Sequence, residues 1–228
     1  MKIGCAGFCE GRSRYFKEFN VVEVQQTFYN PVPLSTLKRW REEAPVSFEF
    51  TLKALQVITH PVTSPTYRRF KGKKPSKGGF FLPCKEVFQA WEMTLEEARV
   101  LEADIIIFQL PPSFCPTEEN FKNMDRFFRF IERENLKLGI EVRCKEWKGN
   151  INRLCEEFGL FHVVDPFSWE TECGDVRYFR LHGKGGYRYR FTEEDFRELK
   201  NKVDKETYVI FNNIYSLEDA RRFKDFII

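Results

Sequence analysis

The sequence predicts an α/β protein, a single (β/α)8 barrel domain over residues 1–228 that is somewhat trimmed for its class. Eight short apolar segments alternate with helical patterns along the chain. Residues 105–108 are apolar on both faces, which is typical of a strand inside a parallel sheet. A length of 228 residues with 42% hydrophobic content suits one substantial core. An open, doubly wound parallel sheet is the alternative, because alternation alone does not prove closure.

Eight segments are predicted to be strands because they are short, apolar and enriched in β-branched and aromatic residues. They span residues 2–7, 21–26, 47–53, 104–110, 137–143, 161–164, 177–182 and 208–212. Gln109 is the polar residue at the carboxyl end of the fourth strand, where parallel folds place their chemistry. No glycine-rich phosphate loop follows the first strand.

Helices are predicted between most of these strands from the periodic spacing of apolar residues. They span residues 34–43, 85–102, 118–134, 151–158, 193–203 and 217–226. Thr117, Thr192 and Ser216 precede acidic residues and are predicted to cap helix starts. Gly159 suits the end of a helix. The connections after the first and sixth strands are expected to be short or irregular.

Alternation within the strands places charged side chains inside the barrel. In the second strand Glu23 faces away from Val22 and Val24, and other strands repeat this division between an apolar and a polar face. The apolar faces should pack on the helices, so the polar faces should point inward. The interior set is Glu23, Glu49, Lys53, Glu141, Arg143 and Arg180.

Two explanations of this interior charge are open. One is a self-neutralising network of ion pairs with no further role. Buried ion pairs stabilise poorly, however, because desolvation costs several kcal/mol per ion, so we favour a functional site at the carboxyl ends of the strands. Glu49 lies deepest, and for this residue a structural role is expected.

Several short motifs follow one another from the first strand to the last. They are EVQQTFY at 23–29, Trp40, Phe48-x-Phe50-x-x-Lys53, ITH at 58–60, FQxPP at 108–112, Glu141-x-Arg143-x-x-x-Trp147, RLHG at 180–183 and FNN at 211–213. In these the chain resembles the YecE-like family, domain of unknown function 72. The resemblance implies a TIM barrel without a settled activity, distantly similar in fold to the endonuclease IV and xylose isomerase group.

Candidate roles combine this resemblance with the interior charges. Glu23, His60 and Glu141 are predicted to be the catalytic acid–base groups. The predicted substrate-binding residues are Lys53, Arg143, Arg180 and His182, which would hold an anion, and Gln109 and Asn212, which would orient it. No metal site is predicted, since the chain has only three histidines. The sequence identifies neither a cofactor nor an oligomeric state.

Two basic segments suggest a polyanionic partner. Residues 68–77 contain six cations without an acid. A second group, Arg177, Arg180, Lys184, Arg188 and Arg190, is interleaved with tyrosines. Arg68, Arg69, Lys73, Lys74, Arg188 and Arg190 are therefore predicted to bind nucleic acid. A solvated loop is the alternative for the first segment, and a net charge of +3 does not by itself imply nucleic acid.

Five of the seven cysteines fall in loops that follow strands: Cys9, Cys84, Cys115, Cys144 and Cys173. Their spacing matches no standard metal motif, so one or two disulfides are preferred to a metal or cluster. Free thiols remain the third alternative. Cys5 lies inside the first strand, and Cys155 is predicted to fill the core from a helix.

The functional prediction is an enzyme acting on a phosphate-bearing small molecule or on nucleic acid, by hydrolysis or related acid–base chemistry. The alternatives are a non-catalytic nucleic-acid-binding protein and an isomerase or lyase acting on a small sugar or acid. No apolar run is long enough for a membrane span, and the first residues resemble a strand rather than a signal peptide. We therefore expect no membrane partner and a cytoplasmic location. The high content of charged residues suits a thermophile.

Overall fold

A computed structural model describes all residues from 1 to 228. Its eight strands form a closed parallel barrel in chain order, and β8 completes it by pairing with β1. The strands are β1 (Lys2–Ala6), β2 (Val21–Val24), β3 (Glu49–Lys53), β4 (Ile105–Gln109), β5 (Lys137–Glu141), β6 (Leu160–Val164), β7 (Tyr178–Leu181) and β8 (Tyr208–Phe211). The predicted (β/α)8 barrel is confirmed, and the open sheet is excluded by the pairing of the first and last strands.

Nine α-helices connect or flank the strands. They are α1 (Arg12–Glu18), α2 (Gln26–Tyr29), α3 (Leu34–Glu43), α4 (Gln56–Thr59), α5 (Lys85–Leu101), α6 (Glu118–Phe130), α7 (Ile151–Phe158), α8 (Glu193–Lys200) and α9 (Ser216–Ile227). All six predicted helices are present, and residues 165–177 after β6 contain no helix, as expected. None of the helices combines the length and apolar character needed to cross a membrane.

The helix boundaries follow local capping chemistry, with one correction. Thr117 accepts a hydrogen bond from the Asn120 amide, and Thr192 forms a reciprocal capping box with Asp195. Gly159 ends α7 in the left-handed conformation that glycine adopts readily. The predicted cap at Ser216 is wrong, because Ser216 is already the first residue of α9 and its side chain makes no capping bond.

Two apolar clusters divide the core. The larger one contains 53 buried residues and lies mostly between the outer faces of the strands and the helices. The smaller one consists of inward-facing strand residues and their neighbours: Val21, Ile105, Ile107, Phe161, Val163, Val176, Tyr178 and Ile210. These side chains fill the lower part of the interior. Two positions further along several of the strands the inward side chains become polar, and this polar layer is the candidate site.

Two disulfides connect segments at the periphery of the barrel. Cys115 after β4 is bonded to Cys144 after β5, with Cα atoms 5.5 Å apart, so the predicted bridge between loops is confirmed. Cys155 on α7 is bonded to Cys173. Cys155 is buried in the core from a helix, as predicted, and its bond to Cys173 was not predicted. Cys5, Cys9 and Cys84 are free.

Candidate active site at the carboxyl ends of the strands

Arg180 is the centre of the polar layer and is fully buried. Its Nε donates to both oxygens of Glu23 at 3.1 and 3.0 Å, and its Nη2 donates to Glu23 Oε1 at 2.8 Å. Its Nη1 donates to Gln109 Oε1 at 3.1 Å and to Glu141 Oε2. Tyr178 supports the arrangement from below by donating to Glu23 Oε2 at 3.0 Å. One guanidinium thus joins strands β2, β4, β5 and β7.

Lys53 extends the layer without an ion pair of its own. Its Nζ donates to Gln109 Oε1 at 2.9 Å and lies 3.9 Å from the centroid of the Phe28 ring. Burial, followed by the positive charge of Arg180, lowers the pKa of Lys53 to about 7. Both protonation states of this amine are therefore populated at neutral pH.

Glu141 connects the buried layer to residues at the mouth of the barrel. Its Oε1 accepts hydrogen bonds from Arg143 Nη2 at 3.2 Å and from His182 Nε2 at 3.1 Å. Burial alone would raise the pKa of Glu141, but the charges of Arg180 and Arg143 and the bond from His182 outweigh it. They hold that pKa well below its usual range. Asn212 reaches His182 Nδ1 at 3.2 Å.

Seven residues were predicted to converge on one mouth of the barrel, and a continuous network of hydrogen bonds joins them. They are Glu23, Lys53, Gln109, Glu141, Arg143, Arg180 and Asn212. The predicted convergence is confirmed, and His182 belongs to the same network. Glu49 lies at the opposite end of β3, where it pairs with Lys2 and accepts from Tyr208. The structural role predicted for Glu49 agrees with this position.

His60 lies beside the layer after α4. Its Nδ1 is 2.9 Å from the hydroxyl of Thr59, and its ring packs edge-on against Phe28. Burial, together with the charges of Lys53 and Arg143, lowers the pKa of His60 to about 3. The ring is therefore neutral near pH 7, so it cannot donate a proton as an imidazolium.

A cavity of about 480 Å³ opens above Glu141 and His182, at the ends of β5, β6 and β7. Its wall also contains Arg143, Lys145, Lys148, Asp165, Ser168 and Trp169. Neither Lys145 nor Lys148 has an acidic partner within 4.0 Å, and Glu141 is already neutralised by Arg180 and Arg143. Asp165 is the other carboxyl group of the wall and offsets one of these two lysines, so the cavity carries a net positive charge from the other.

The sequence reasoning missed five of these cavity residues: Lys145, Lys148, Asp165, Ser168 and Trp169. Asp165 follows β6 directly, so a polar residue at a strand end was an available signal. It accepts hydrogen bonds from the backbone amides of Phe167 and His182 at 3.1 and 2.8 Å. Asp165 thereby fixes the turn that presents His182. Trp169 offered no signal, because its place depends on the irregular path of residues 165–177.

One group of side chains has the spacing of a metal site. A ligand atom from each of Cys115, Cys144 and Glu146 lies within 4.8 Å of the other two. The two sulfur atoms are joined in a disulfide, however, and metals bind thiolates rather than disulfides.

The two basic segments differ in the structure. The cations of residues 68–77 form no ion pair within 4.0 Å, and Lys73 and Lys74 line a separate groove of about 520 Å³ against α5. In the second segment, four of the five cations are paired with acids from other parts of the chain. The pairs are Arg177 with Asp204, Arg180 with Glu23 and Glu141, Lys184 with Asp195 and Glu198, and Arg190 with Glu218. All these acids lie outside residues 177–190, so the segment carries less free positive charge than its own sequence suggests.

Comparison with known proteins identifies relatives of the whole chain. UPF0759 protein YunF of Bacillus subtilis (strain 168) is 22% identical over 239 residues, covering 87% of this chain and 79% of YunF. The crystal structure of a DUF72 family protein from Enterococcus faecalis V583 superposes with a TM-score of 0.75 at 18% identity, covering 99% and 96% of the two chains.

An enzyme shares the fold as well. D-psicose 3-epimerase superposes with a TM-score of 0.58 at 14% identity, covering 99% and 98% of the two chains, a likeness of fold alone. Residues 10–227 match the family described as "Protein of unknown function DUF72". The chain therefore belongs to the DUF72 family.

Proposed function

We propose that this protein is an enzyme whose substrate is a small phosphate-bearing molecule, bound in the cavity above Glu141 and His182. The observation that carries the proposal is the charge of that cavity. Arg143, Lys145 and Lys148 line it, and the two lysines have no acidic partner. A phosphate group satisfies such cations with charge-assisted hydrogen bonds, and the planar guanidinium can bind it in a bidentate manner.

Acid–base chemistry is assigned to His182, with Glu141 as its positioning carboxylate. Glu141 Oε1 accepts a hydrogen bond from His182 Nε2, so Nε2 carries a proton. Nδ1 is then the proton-accepting nitrogen, and its lone pair accepts from the Asn212 amide at 3.2 Å, a hydrogen bond that must open before Nδ1 exchanges a proton with substrate. A buried carboxylate at this position also stabilises the imidazolium that forms during proton transfer.

Besides exchanging the roles predicted for Glu141 and His182, the proposal changes those of four other residues. Arg180, predicted to hold the anion, is fully buried against Glu23 and Glu141 and organises the layer instead. Glu23 is fully buried beneath Arg180 and anchors that guanidinium instead of exchanging protons with substrate. His60 is a neutral hydrogen-bonding group, because its pKa lies near 3. Lys53, predicted to bind the anion, does not line the cavity and is a buried hydrogen-bond donor of the layer beneath it.

The binding half of the proposal is tested with inorganic phosphate as the probe. Arg143→Gln is expected to raise the phosphate dissociation constant about tenfold or more, because it removes a charge-assisted contact. Isothermal titration calorimetry at fixed ionic strength measures this change. The matched control is Arg153→Gln on the outer surface of α7, which also removes a glutamate-paired arginine and should leave affinity unchanged. Equal losses in both variants would overturn the assignment of the cavity.

The catalytic half is tested by phosphorus and proton NMR of the wild type with a panel of sugar phosphates, nucleotides and other phosphomonoesters. For a substrate that turns over, Glu141→Gln should lower kcat by about 10²–10⁴-fold while phosphate still binds. Turnover that keeps the phosphate attached identifies isomerase or lyase chemistry, whereas its release identifies hydrolysis. Turnover unaffected by Glu141→Gln contradicts the role of this residue.

A second candidate function is supported by the basic loop. Six cations in residues 68–77 have no ion pair, and Arg69 also lies over the ring of Tyr29 at 4.8 Å. Unpaired cations close to an aromatic ring suit the backbone of a single-stranded nucleic acid. Arg188 is exposed and unpaired as well, whereas Arg190 is held by Glu218 and contributes less charge.

If this loop binds nucleic acid, replacing Arg68, Arg69, Lys73 and Lys74 with glutamine should weaken binding of labelled single-stranded DNA. The slope of log affinity against log salt should also flatten, by up to about 0.7 for each phosphate that the variant no longer neutralises. Fluorescence anisotropy over a salt series measures both quantities. The control replaces four paired cations on outer helices, Lys122, Arg129, Arg153 and Arg197, which lowers the net charge equally. No detectable binding by the wild type at low salt would exclude this candidate.

A further inference from the structure

His162 in β6 lines the cavity of the proposed active site and is a further polar group of its wall. Its neighbours Phe161 and Val163 belong to the inward-facing cluster, so the His162 ring lies on the outer face of the strand, against residues 165–177. The residue is only 1% exposed. Buried polar atoms normally have hydrogen-bond partners, so a ring nitrogen without one requires an explanation.

The backbone determines which nitrogen of this ring carries the proton. The Glu172 amide donates to His162 Nδ1 at 3.3 Å, so Nδ1 is an acceptor and the proton of the neutral ring is on Nε2. Burial lowers the pKa of His162 to about 4, and the ring is neutral near pH 7. The backbone amide of His162 also donates to the Cys173 carbonyl at 3.1 Å. His162 is therefore a neutral donor with a fixed direction.

The Nε2 atom of His162 has no partner in the protein. The only hydrogen bond of the ring is the one at Nδ1. Nε2 is not one of the fully enclosed polar atoms that lack a partner, so part of the small exposed area of this residue belongs to it. The surface that the ring lines is the cavity, and Nε2 opens there. An acceptor oxygen of a bound ligand would satisfy this donor.

Glu172 holds the surroundings of this donor in place. Its Oε1 accepts from Trp169 Nε1 at 2.6 Å and from the Gly149 amide at 3.3 Å. The Trp169 ring packs edge-on against His162, with ring centroids 5.4 Å apart. Gly149 follows Lys148, a cavity lysine without an acidic partner. One residue thus connects a fixed donor, an aromatic wall and a segment that carries a cation, which are the parts of a preformed ligand site.

We propose that His162 Nε2 donates a hydrogen bond to a hydroxyl or carbonyl oxygen of the substrate, and that the substrate is a sugar phosphate. The inference rests on the proposed function and deepens it, since Arg143, Lys145 and Lys148 hold the phosphate while His162 binds an oxygen elsewhere in the molecule. Because Nδ1 is occupied, His162 only donates, so an oxygen satisfies it and an ammonium group does not. A cavity of about 480 Å³ with Trp169 on its wall suits a ligand of this size.

The first test compares inorganic phosphate with ribose-5-phosphate, glucose-6-phosphate and fructose-6-phosphate by isothermal titration calorimetry. The wild type should bind at least one sugar phosphate about tenfold or more tighter than inorganic phosphate, because one further buried donor is satisfied. His162→Leu should abolish this preference and leave the affinity for inorganic phosphate unchanged. His162→Gln, which keeps an amide donor on a side chain of similar reach, should retain part of the preference.

The outcomes separate this inference from the proposed function. A wild type that does not bind inorganic phosphate overturns the proposed function and this inference with it. Binding of inorganic phosphate without a preference for any sugar phosphate overturns this inference alone. So does a preference that His162→Leu retains in full.

The second test uses the wild type and does not depend on the folding of a variant. Labelling with ¹⁵N-histidine gives signals from three rings, and connection to the assigned backbone identifies His162. Its ring should stay protonated at Nε2 and unprotonated at Nδ1 between about pH 6 and pH 8, since its pKa lies near 4. The Nε2 resonance should shift when the preferred sugar phosphate is added and much less with inorganic phosphate. A ring protonated at Nδ1, or an Nε2 resonance that the bound sugar phosphate leaves unmoved, would overturn the inference.

Discussion

Replacing Arg180 with methionine is expected to lower the free energy of unfolding by about 3–5 kcal/mol. Arg180 is fully buried and neutralises two buried carboxylates, Glu23 and Glu141. Without the guanidinium these groups lose their main compensating charge, and Gln109 loses a hydrogen-bond donor. Denaturation by guanidinium chloride, followed by circular dichroism, measures the change.

Two variants show whether the loss comes from uncompensated burial. Arg177→Met removes an exposed arginine paired with Asp204 and should cost less than about 1 kcal/mol. Combining Glu23→Gln with Arg180→Met should recover part of the loss, because it removes one of the stranded charges. A double variant as unstable as the sum of both single variants would show that Arg180 acts through packing rather than charge.

Removing the Cys115–Cys144 bridge by serine substitution at both positions is expected to cost about 3–4 kcal/mol. The bridge closes a loop with a sequence separation of 29 residues, and the cross-link restricts the unfolded chain. Guanidinium denaturation of this double variant against the wild type, both without reductant, measures the cost. The shorter Cys155–Cys173 bridge, with a separation of 18, should contribute slightly less.

The control for this prediction is Cys84→Ser, since Cys84 is free and its loss should leave stability nearly unchanged. A second check uses reductant, which should destabilise the wild type and leave the double serine variant affected only through the remaining bridge. If reductant leaves the wild type as stable as before, the bridges contribute nothing under those conditions.

Most of the fold could be read from periodicity. Side-chain direction repeats every two residues in a strand and every 3.6 residues in a helix. Both periods can therefore be recognised from residues close together in the sequence. The same period of two revealed that Glu23, Lys53 and Arg180 face inward, because each alternates with apolar neighbours. Parallel strands of a barrel have their carboxyl ends at one mouth, so the polar residues at those ends were expected to lie together. The convergence of the site was therefore predictable once a barrel was assumed.

The sequence by itself determined the elements, their order and the inward faces, because these depend on neighbours a few residues apart. The tertiary structure alone decided closure, since β8 must meet β1 across the whole chain. It also decided which cations remain unpaired: Arg190 looks free in the sequence, yet Glu218 neutralises it. The place of Trp169 on the cavity wall and the bond between Cys155 and Cys173 were decided in the same way. Coulomb attraction, thiol pairing and cavity shape depend on distance through space, which a local pattern does not contain.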